Sequence, residues 1–362
     1  MLISKLRLKN FRNYAEEEFE YSSGVNIISG GNAQGKTNSV EAIFLLCTGY
    51  SPKARRDKQL IRTGETSAKI EADAVSAYGK VNVSMDFYSD RNKEAKVNGI
   101  PVAKIGELLG NINSVLFTPS ELKLVQDAPE DRRRFLDISL SQISRGYFYA
   151  LQKYKKILSQ RNNLLKSEDR DMILDTLPVW DVSLAAAGAK IVYLRNDFIK
   201  TLSPLATESH AAISDGEEEL SVECDYKYEG GEEDICDQLK NALKERMEKD
   251  IELGYTTVGP HRDDLKIKVN GTDVRVFGSQ GQQRTAALSL KIAETEIFRQ
   301  KFGEYPVLIL DDALSELQRS RREKLLSVAE KMQTIITCTE PEMIENHGKY
   351  NNIRIKNGEI IR

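Results

Sequence analysis

Ile27-Ile28-Ser29-Gly30-Gly31-Asn32-Ala33-Gln34-Gly35-Lys36-Thr37 is an apolar strand running into G-x-x-x-x-G-K-T, the spacing of a phosphate-binding P-loop. Glycines let backbone N–H groups close around a polyphosphate, and the N-terminus of a following helix adds a favourable dipole. The candidate nucleotide segment is therefore Gly30, Gly31, Asn32, Ala33, Gln34, Gly35, Lys36, Thr37 and Asn38. Lys36 would reach the β- and γ-phosphates of ATP, and the Thr37 hydroxyl would sit on Mg²⁺. An apolar helical stretch, residues 39–46, follows as this reading requires. A plain glycine-rich turn has no need of the Lys-Thr pair.

A P-loop needs an acidic partner for Mg²⁺. Leu308-Ile309-Leu310-Asp311 supplies a buried strand that delivers a carboxylate rigidly at its tip. Asp312, the next acid, would face the γ-phosphate and orient or activate the attacking water. The competing reading of an Asp-Asp pair at a strand end is a cap or turn.

Outward from these two motifs the chain alternates strand and helix signals. Residues 2–9 alternate apolar and polar, residues 11–14 make a turn, and 16–21 read as a second strand. Short strands follow at 68–74, 80–88 and 115–117, with a hairpin turn at Asn98-Gly99. Helical spacing begins near Pro129 and covers 133–142, 145–166 and 177–205. An acidic linker surrounds one strand, 220–228, ahead of a helix at 235–249. Residues 265–277 alternate again around Asn270-Gly271, a helix opens at Ser279 and runs to about Arg299, and strands at 334–338 and 353–360 close the chain. No helix keeps an unbroken heptad repeat, so no extended coiled coil is expected. The fold class is α/β, with lobes expected at 1–125 (ATPase), 126–300 (helical) and 301–362 (return to the ATPase lobe).

At 362 residues the chain can build one large domain or two ordinary ones. Hydrophobic content of 40% and charge of 30% are those of a soluble globular protein. No apolar run approaches the ~20 residues that cross a bilayer, and the opening Met-Leu-Ile-Ser-Lys enters a strand without a signal peptide. Cys47, Cys224, Cys236 and Cys338 are scattered, which points to a reducing cytoplasm and away from structural zinc. Net charge is −3, yet residues 1–170 carry 27 Lys+Arg against 20 Asp+Glu, leaving 25 against 35 in the rest. A nucleic-acid surface belongs in the basic half. There Lys53, Arg55, Arg56, Lys58 and Arg62 cluster, and phosphate contacts from such a group bind without base specificity. A second basic run, Lys153, Lys155, Lys156 and Arg161, reads equally as a solvated helix face. Arg132–Arg134 read as structural, paired with acids near a lobe junction, and His261 as a hydrogen-bonded structural histidine.

Ser279-Gln280-Gly281-Gln282 resembles the signature motif of ABC-type ATPases, and residues 311–318 resemble their Walker B and D-loop. The signature lies too far from the P-loop for a typical transporter subunit and too close for a long-armed SMC protein. Leu8-Lys9-Asn10-Phe11-Arg12 is similar to the start of SMC-like repair ATPases. The blocks 117–122, Pro129 with 132–137, 259–265 and 277–284, together with Asn32–Asn38, resemble the bacterial RecF family over residues 3 to about 340.

That resemblance implies an ABC-type, SMC-like P-loop ATPase head with a helical second lobe and no long coiled coil. Two subunits would close face to face on two ATP molecules, with Lys36, Thr37, Asp311 and Asp312 acting in cis. Ser279, Gly281 and Gln282 would act on the opposite subunit's nucleotide, and Arg12 and Asn13 would lie beside the nucleotide held by the P-loop. The family binds DNA at single-strand gaps and double-strand junctions, and works with RecR and RecO in loading recombinase. Its slow hydrolysis dissolves the dimer. Three departures stand out. Gln318 replaces the usual D-loop aspartate, Thr337-Cys338-Thr339-Glu340 lacks the switch histidine, and Pro119 stands where related heads carry a Q-loop glutamine. Turnover well below the ~10 s⁻¹ enzyme median follows. A transporter subunit and a purely structural SMC-like module are the alternatives from other classes.

Overall fold

The computed structural model describes every residue except 226, 227, 316, 340–349 and 362. Glu316 and Glu340, quoted in the D-loop and switch stretches, lie outside the described residues. The layout is built on two six-stranded sheets and a small third one. The first is antiparallel, in the order β2 (Tyr14–Glu20), β1 (Leu2–Phe11), β4 (Ser67–Ser76), β5 (Gly79–Tyr88), β6 (Glu94–Val97) and β7 (Ile100–Pro101). In the second, β14 (Asn351–Lys356), β3 (Val25–Ser29), β13 (Thr334–Cys338), β12 (Val307–Asp311) and β8 (Ser114–Phe117) are parallel, and β15 (Glu359–Ile361) is an antiparallel edge.

Helix α1 (Lys36–Thr48) lies between these two sheets and contacts strands of both. That is why its stretch 42–47 is apolar on every side and not amphipathic: almost no face of it meets water. The central parallel strands β3, β13, β12 and β8 are buried along their whole length because each face is covered, whereas β14 alternates buried Ile353 and Ile355 with exposed Asn352, Arg354 and Lys356. Ile28, Leu116, Ile309 and Ile335 point into the core around α1. Their alternate neighbours Ile27, Phe117, Leu308, Leu310 and Ile336 point into a second core shared with the helices.

The helical part comprises α2 (Lys123–Gln126), α3 (Pro129–Ile143), α4 (Arg145–Leu164), α5 (Arg170–Ile213), α6 (Glu232–Leu253), α7 (Val274–Phe277), α8 (Gln280–Phe302) and α9 (Arg319–Ala329). The three-stranded antiparallel sheet β11 (Thr272–Asp273), β10 (Leu265–Val269) and β9 (Leu220–Cys224) completes it. One continuous core joins α3 to α6 and α8 with β9, β10 and the inner face of the parallel sheet.

Four expectations shift. The helix expected at 177–205 extends over 44 residues, with Pro178 and Pro204 inside it. Packing on α4, α6, α8 and β9 holds it through both prolines, and the Asp169 carboxylate caps its start by accepting from the Met172 N–H at 2.9 Å. By length and composition α5 is the one described helix that could cross a membrane, contrary to the reading of the apolar runs, but here it serves as the core helix. The alternating run 265–277 ends early, because Asp273 accepts from the Arg275 N–H at 2.9 Å and caps the short helix α7. The strand expected at 220–228 stops at Cys224.

Candidate functional site

Parallel register sets the site. Cys338 pairs with Ser29 and Thr337 with Asp311, so the carboxyl ends of β3, β12 and β13 finish at one level. The loop Gly30–Gly35 leaves β3 there, at the edge where open α/β sheets collect ligands. Gly35 caps α1 with φ +116°, and a Cβ on it would meet the Asn13 amide at 2.7 Å and the Tyr14 hydroxyl at 2.8 Å. Backbone conformation and space both demand glycine.

Lys36 is nearly buried, and its ammonium donates to the carbonyls of Gly30 at 2.7 Å and Gly31 at 2.8 Å. It thus curls the loop around its own cation. The Thr37 hydroxyl donates to Asp311 Oδ1 at 2.8 Å, which joins the P-loop to the acidic strand. Two hard oxygen donors this close are of the ligand type that Mg²⁺ takes, and would hold it if it bound here. Asp312 turns out of β12 with φ 55°, and its N–H donates to the Thr337 hydroxyl at 3.0 Å. Ser315 closes the turn by donating to the Asp312 carbonyl at 3.0 Å.

The loop is clamped by two segments of the chain. Asn13 donates to the Gln34 carbonyl at 3.0 Å and accepts from Asn38 at 2.8 Å, and the Tyr14 hydroxyl donates to the Gly35 carbonyl at 2.9 Å. Packed against Asn13, the Gly358 N–H in the β14–β15 turn donates to the same Gln34 carbonyl at 3.0 Å. Arg12 is engaged elsewhere. Its guanidinium grips the buried Glu41 carboxylate through two bonds, at 2.7 and 2.9 Å, and donates to the Gln59 carbonyl at 2.9 Å. Asn32 and Ala33 lie at the loop crest, where Ala33 takes φ 62°.

Ser279 is the N-cap of α8. Its hydroxyl accepts from the Gln282 N–H at 3.2 Å, and the Gln282 side chain accepts from the Ser279 N–H at 2.9 Å. Arg321 donates to the Gly281 carbonyl at 3.0 Å, tying this loop to α9 beyond the D-loop stretch. Ser279 is exposed, and α7 before it exposes Val276 (59%) and Phe277 (74%). Ser279 is absent from the cavity of ≈ 220 Å³ that Thr37 and Asp311 line together with Lys53, Ser120 and Glu121.

Of the basic candidates, Lys53, Arg55, Arg56 and Lys58 are exposed and Arg62 is half-buried. Lys53 lies 3.5 Å from Asp311 Oδ2, whereas Arg55, Arg56, Lys58 and Arg62 form no ion pair among the described residues. The second basic run divides. Lys153 and Lys156 are exposed, but Arg161 is fully buried and bound to Asp181, Asp250 and Thr256 at 2.6 to 2.8 Å, so it cannot touch DNA. Helical spacing had set all of these on one face; the chain needed one of them as a core cation.

Thr337 and Tyr14 were missed by sequence reasoning. Thr337 donates to Asp311 Oδ1 at 2.8 Å while supporting the Asp312 N–H. The only signal was a hydroxyl at the end of an apolar strand. The expectation for Arg132 and His261 can be followed directly. Arg132 grips Asp264 at 2.6 and 2.9 Å, and His261 bonds the Tyr154 hydroxyl at 2.6 Å and the Thr256 carbonyl at 3.1 Å. Burial lowers the His261 pKa to about 4, and no metal-binding cluster occurs among the described residues.

The chain is similar to known proteins over nearly its whole length. The family model RecF/RecN/SMC N terminal domain matches residues 2–361. A protein of Acetivibrio thermocellus named DNA replication and repair protein RecF is 41% identical, covering 98% of each chain. The chain belongs to the RecF family. A solved structure, "Structure of the recombination mediator protein RecF-ATPrS in RecFOR pathway", superposes with TM-score 0.91 at 35% identity, covering 99% of this chain and 97% of the other. A second, of RecF-ATP in the same pathway, gives TM-score 0.88 at 34% identity, with coverage of 99% and 96%. The SMC-like ATPase head is therefore the fold of this RecF-family chain.

Proposed function

We propose that this chain is an ATP-dependent DNA-binding protein of recombinational repair and replication maintenance. ATP binding closes two copies face to face on gapped or junction DNA, slow hydrolysis releases them, and RecO and RecR act with the dimer in loading recombinase. The observation that carries the reading is a separation within one chain. Thr37 and Asp311 are hydrogen-bonded at 2.8 Å, while the capped helix N-terminus at Ser279 is exposed and outside their cavity. A helix N-terminus is suited to a phosphate, and the phosphate it suits is then the one held by a second copy. The exposed Val276 and Phe277 beside it supply apolar surface for such a contact.

Mg·ATP supplies the scissile phosphate and the charge that polarises it. The chain's own groups do the rest. Lys36 exchanges the Gly30 and Gly31 carbonyls for phosphate oxygens, and the Thr37 hydroxyl with Asp311 positions the cation. Asp312, held by Thr337 and Ser315, accepts the proton of the attacking water. Lys53, Arg55, Arg56, Lys58 and Arg62 contact DNA phosphates. Working lobes at 1–125, 126–300 and 301–362 belong to the same proposal, as does residence in the cytoplasm beside the nucleoid.

Steady-state ATP hydrolysis with and without gapped duplex DNA, across protein concentrations, tests this. A slow rate that rises with DNA and steepens with protein concentration is expected. A rate indifferent to both overturns it. Ser279→Arg should block dimerisation in ATP while the monomer still binds ATP; loss of monomer binding would mean that Ser279 serves its own chain's nucleotide.

A further inference from the structure

A cavity of ≈ 630 Å³ belongs to no element of the proposed ATP cycle. It opens where the end of α1 and the segment 105–109 meet α3, α4 and α5, and its size is that of a small-molecule site. Its walls are largely apolar, with Tyr50, Ile105, Leu109, Phe148, Leu151 and Leu158 among them.

The charges around it do not balance. Arg133, Arg134, Lys155 and Arg195 line it against two acids, Glu130 and Asp137. Asp137 is already shared by the Tyr147 hydroxyl at 2.6 Å, Arg195 at 2.9 Å and Lys155 at 3.7 Å. Glu130 is exposed and forms no ion pair among the described residues. Arg133 donates to the Asp263 carbonyl at 2.7 Å, Arg134 donates to the Pro52 carbonyl at 3.2 Å and also bonds the Tyr50 hydroxyl, and neither has a carboxylate within ion-pair distance among the described residues. Burial, and after it the neighbouring Arg195 cation, act against the Arg133 charge, and the more distant carboxylates of Asp264, Asp263 and Glu130 offset only part of this. Two guanidiniums beside an apolar cavity, with their remaining donors uncommitted to any acid, form a receptor for an anion with an apolar body.

We propose that this cavity binds a small amphiphilic anion, a flat apolar molecule ending in a carboxylate, sulfonate or phosphate ester. The anionic end sits on Arg133 and Arg134 and the body lies against Phe148, Leu151 and Leu158. The site also reports to the nucleotide. Arg134 and Ile138 line both this cavity and the smaller one beside Thr37 and Asp311, so an occupant alters nucleotide affinity.

The probe is 8-anilinonaphthalene-1-sulfonate, titrated into the full chain and followed by fluorescence and calorimetry. One saturable site per chain is expected, with Lys36→Met binding the probe as wild type does. Leu158→Trp fills the cavity and should abolish binding, Arg133→Gln should weaken it about tenfold, and Arg133→Lys should restore most of it. Circular dichroism melts confirm that each variant is folded; if Leu158→Trp is not, the two Arg133 variants decide. Non-saturable binding, or affinity unchanged in Arg133→Gln, overturns the site. A labelled-ATP titration at saturating probe should shift by at least about twofold, and no shift overturns the coupling.

Discussion

Two regions of this chain use the same residue types to opposite ends. At the P-loop, Lys36 bonds only the Gly30 and Gly31 carbonyls, and Thr37 bonds Asp311 at the wall of a small cavity. At the junction of α3, α4, α5 and the 259–265 segment, Arg132, Arg161, Arg195, Asp137 and His261 also form dense polar contacts. There the cations bond carboxylates of the same network as well as backbone carbonyls, and Arg161 and Arg195 are at most 2% exposed. A motif-like block of Arg, His and Asp is thus a site in one place and a strut in the other. Whether the partners are supplied by the chain decides which.

Substitutions sharpen that contrast. The greatest loss of stability is expected from Arg161→Ala, which leaves Asp181 and Asp250 as uncompensated buried carboxylates. Denaturant unfolding should show a loss of about 3–5 kcal/mol. Lys36→Met should do the reverse, since its ammonium bonds only loop carbonyls. Unfolding without nucleotide stays within about 0.5 kcal/mol of wild type, and the thermal stabilisation that ATP gives is lost. A large drop in stability for Lys36→Met would erase the distinction between the two regions.

Arg55→Ala with Arg56→Ala should weaken DNA binding at every sequence alike. The slope of log affinity against log salt should fall by about 1 per residue removed. An unchanged slope would remove these side chains from the DNA surface.

Smaller still is a pH effect at the strut. Burial raises the Asp263 carboxyl to about 7, above its ordinary 3.8, and its Oδ2 has no hydrogen-bond partner. A raised folded-state pKa means stability that is present below about pH 4 and is lost as pH climbs through 7. Asp263→Asn should therefore flatten the fall in stability between pH 5 and pH 8, read by melts at each pH. The smallest change is Thr337→Val, which removes one donor to Asp311 and the acceptor for the Asp312 N–H. About 1 kcal/mol of stability should go, along with tightness in the Mg²⁺ dependence of nucleotide binding.

Much of the nucleotide site was legible in the chain because its chemistry is local. A strand, a glycine loop and a helix start are consecutive residues, and Gly35 can be read because its φ of +116° excludes side chains. Asp311 could be read because a buried parallel strand has to be apolar up to its tip. Thr337, Tyr14 and the Asn357-Gly358 turn could not, since each reaches the site from a distant part of the chain.

By itself the sequence determined the α/β class, the strand order of events around the P-loop, and a family likeness spread over nearly the full chain. Only the tertiary structure decided which charges are spent on one another. It turned Arg161 from surface to core, set Arg12 on Glu41, and left Arg133 and Arg134 beside a cavity without acids of their own. The reason is physical: periodicity reports which face of a helix a residue occupies, whereas the energy of a charge depends on what lies opposite that face.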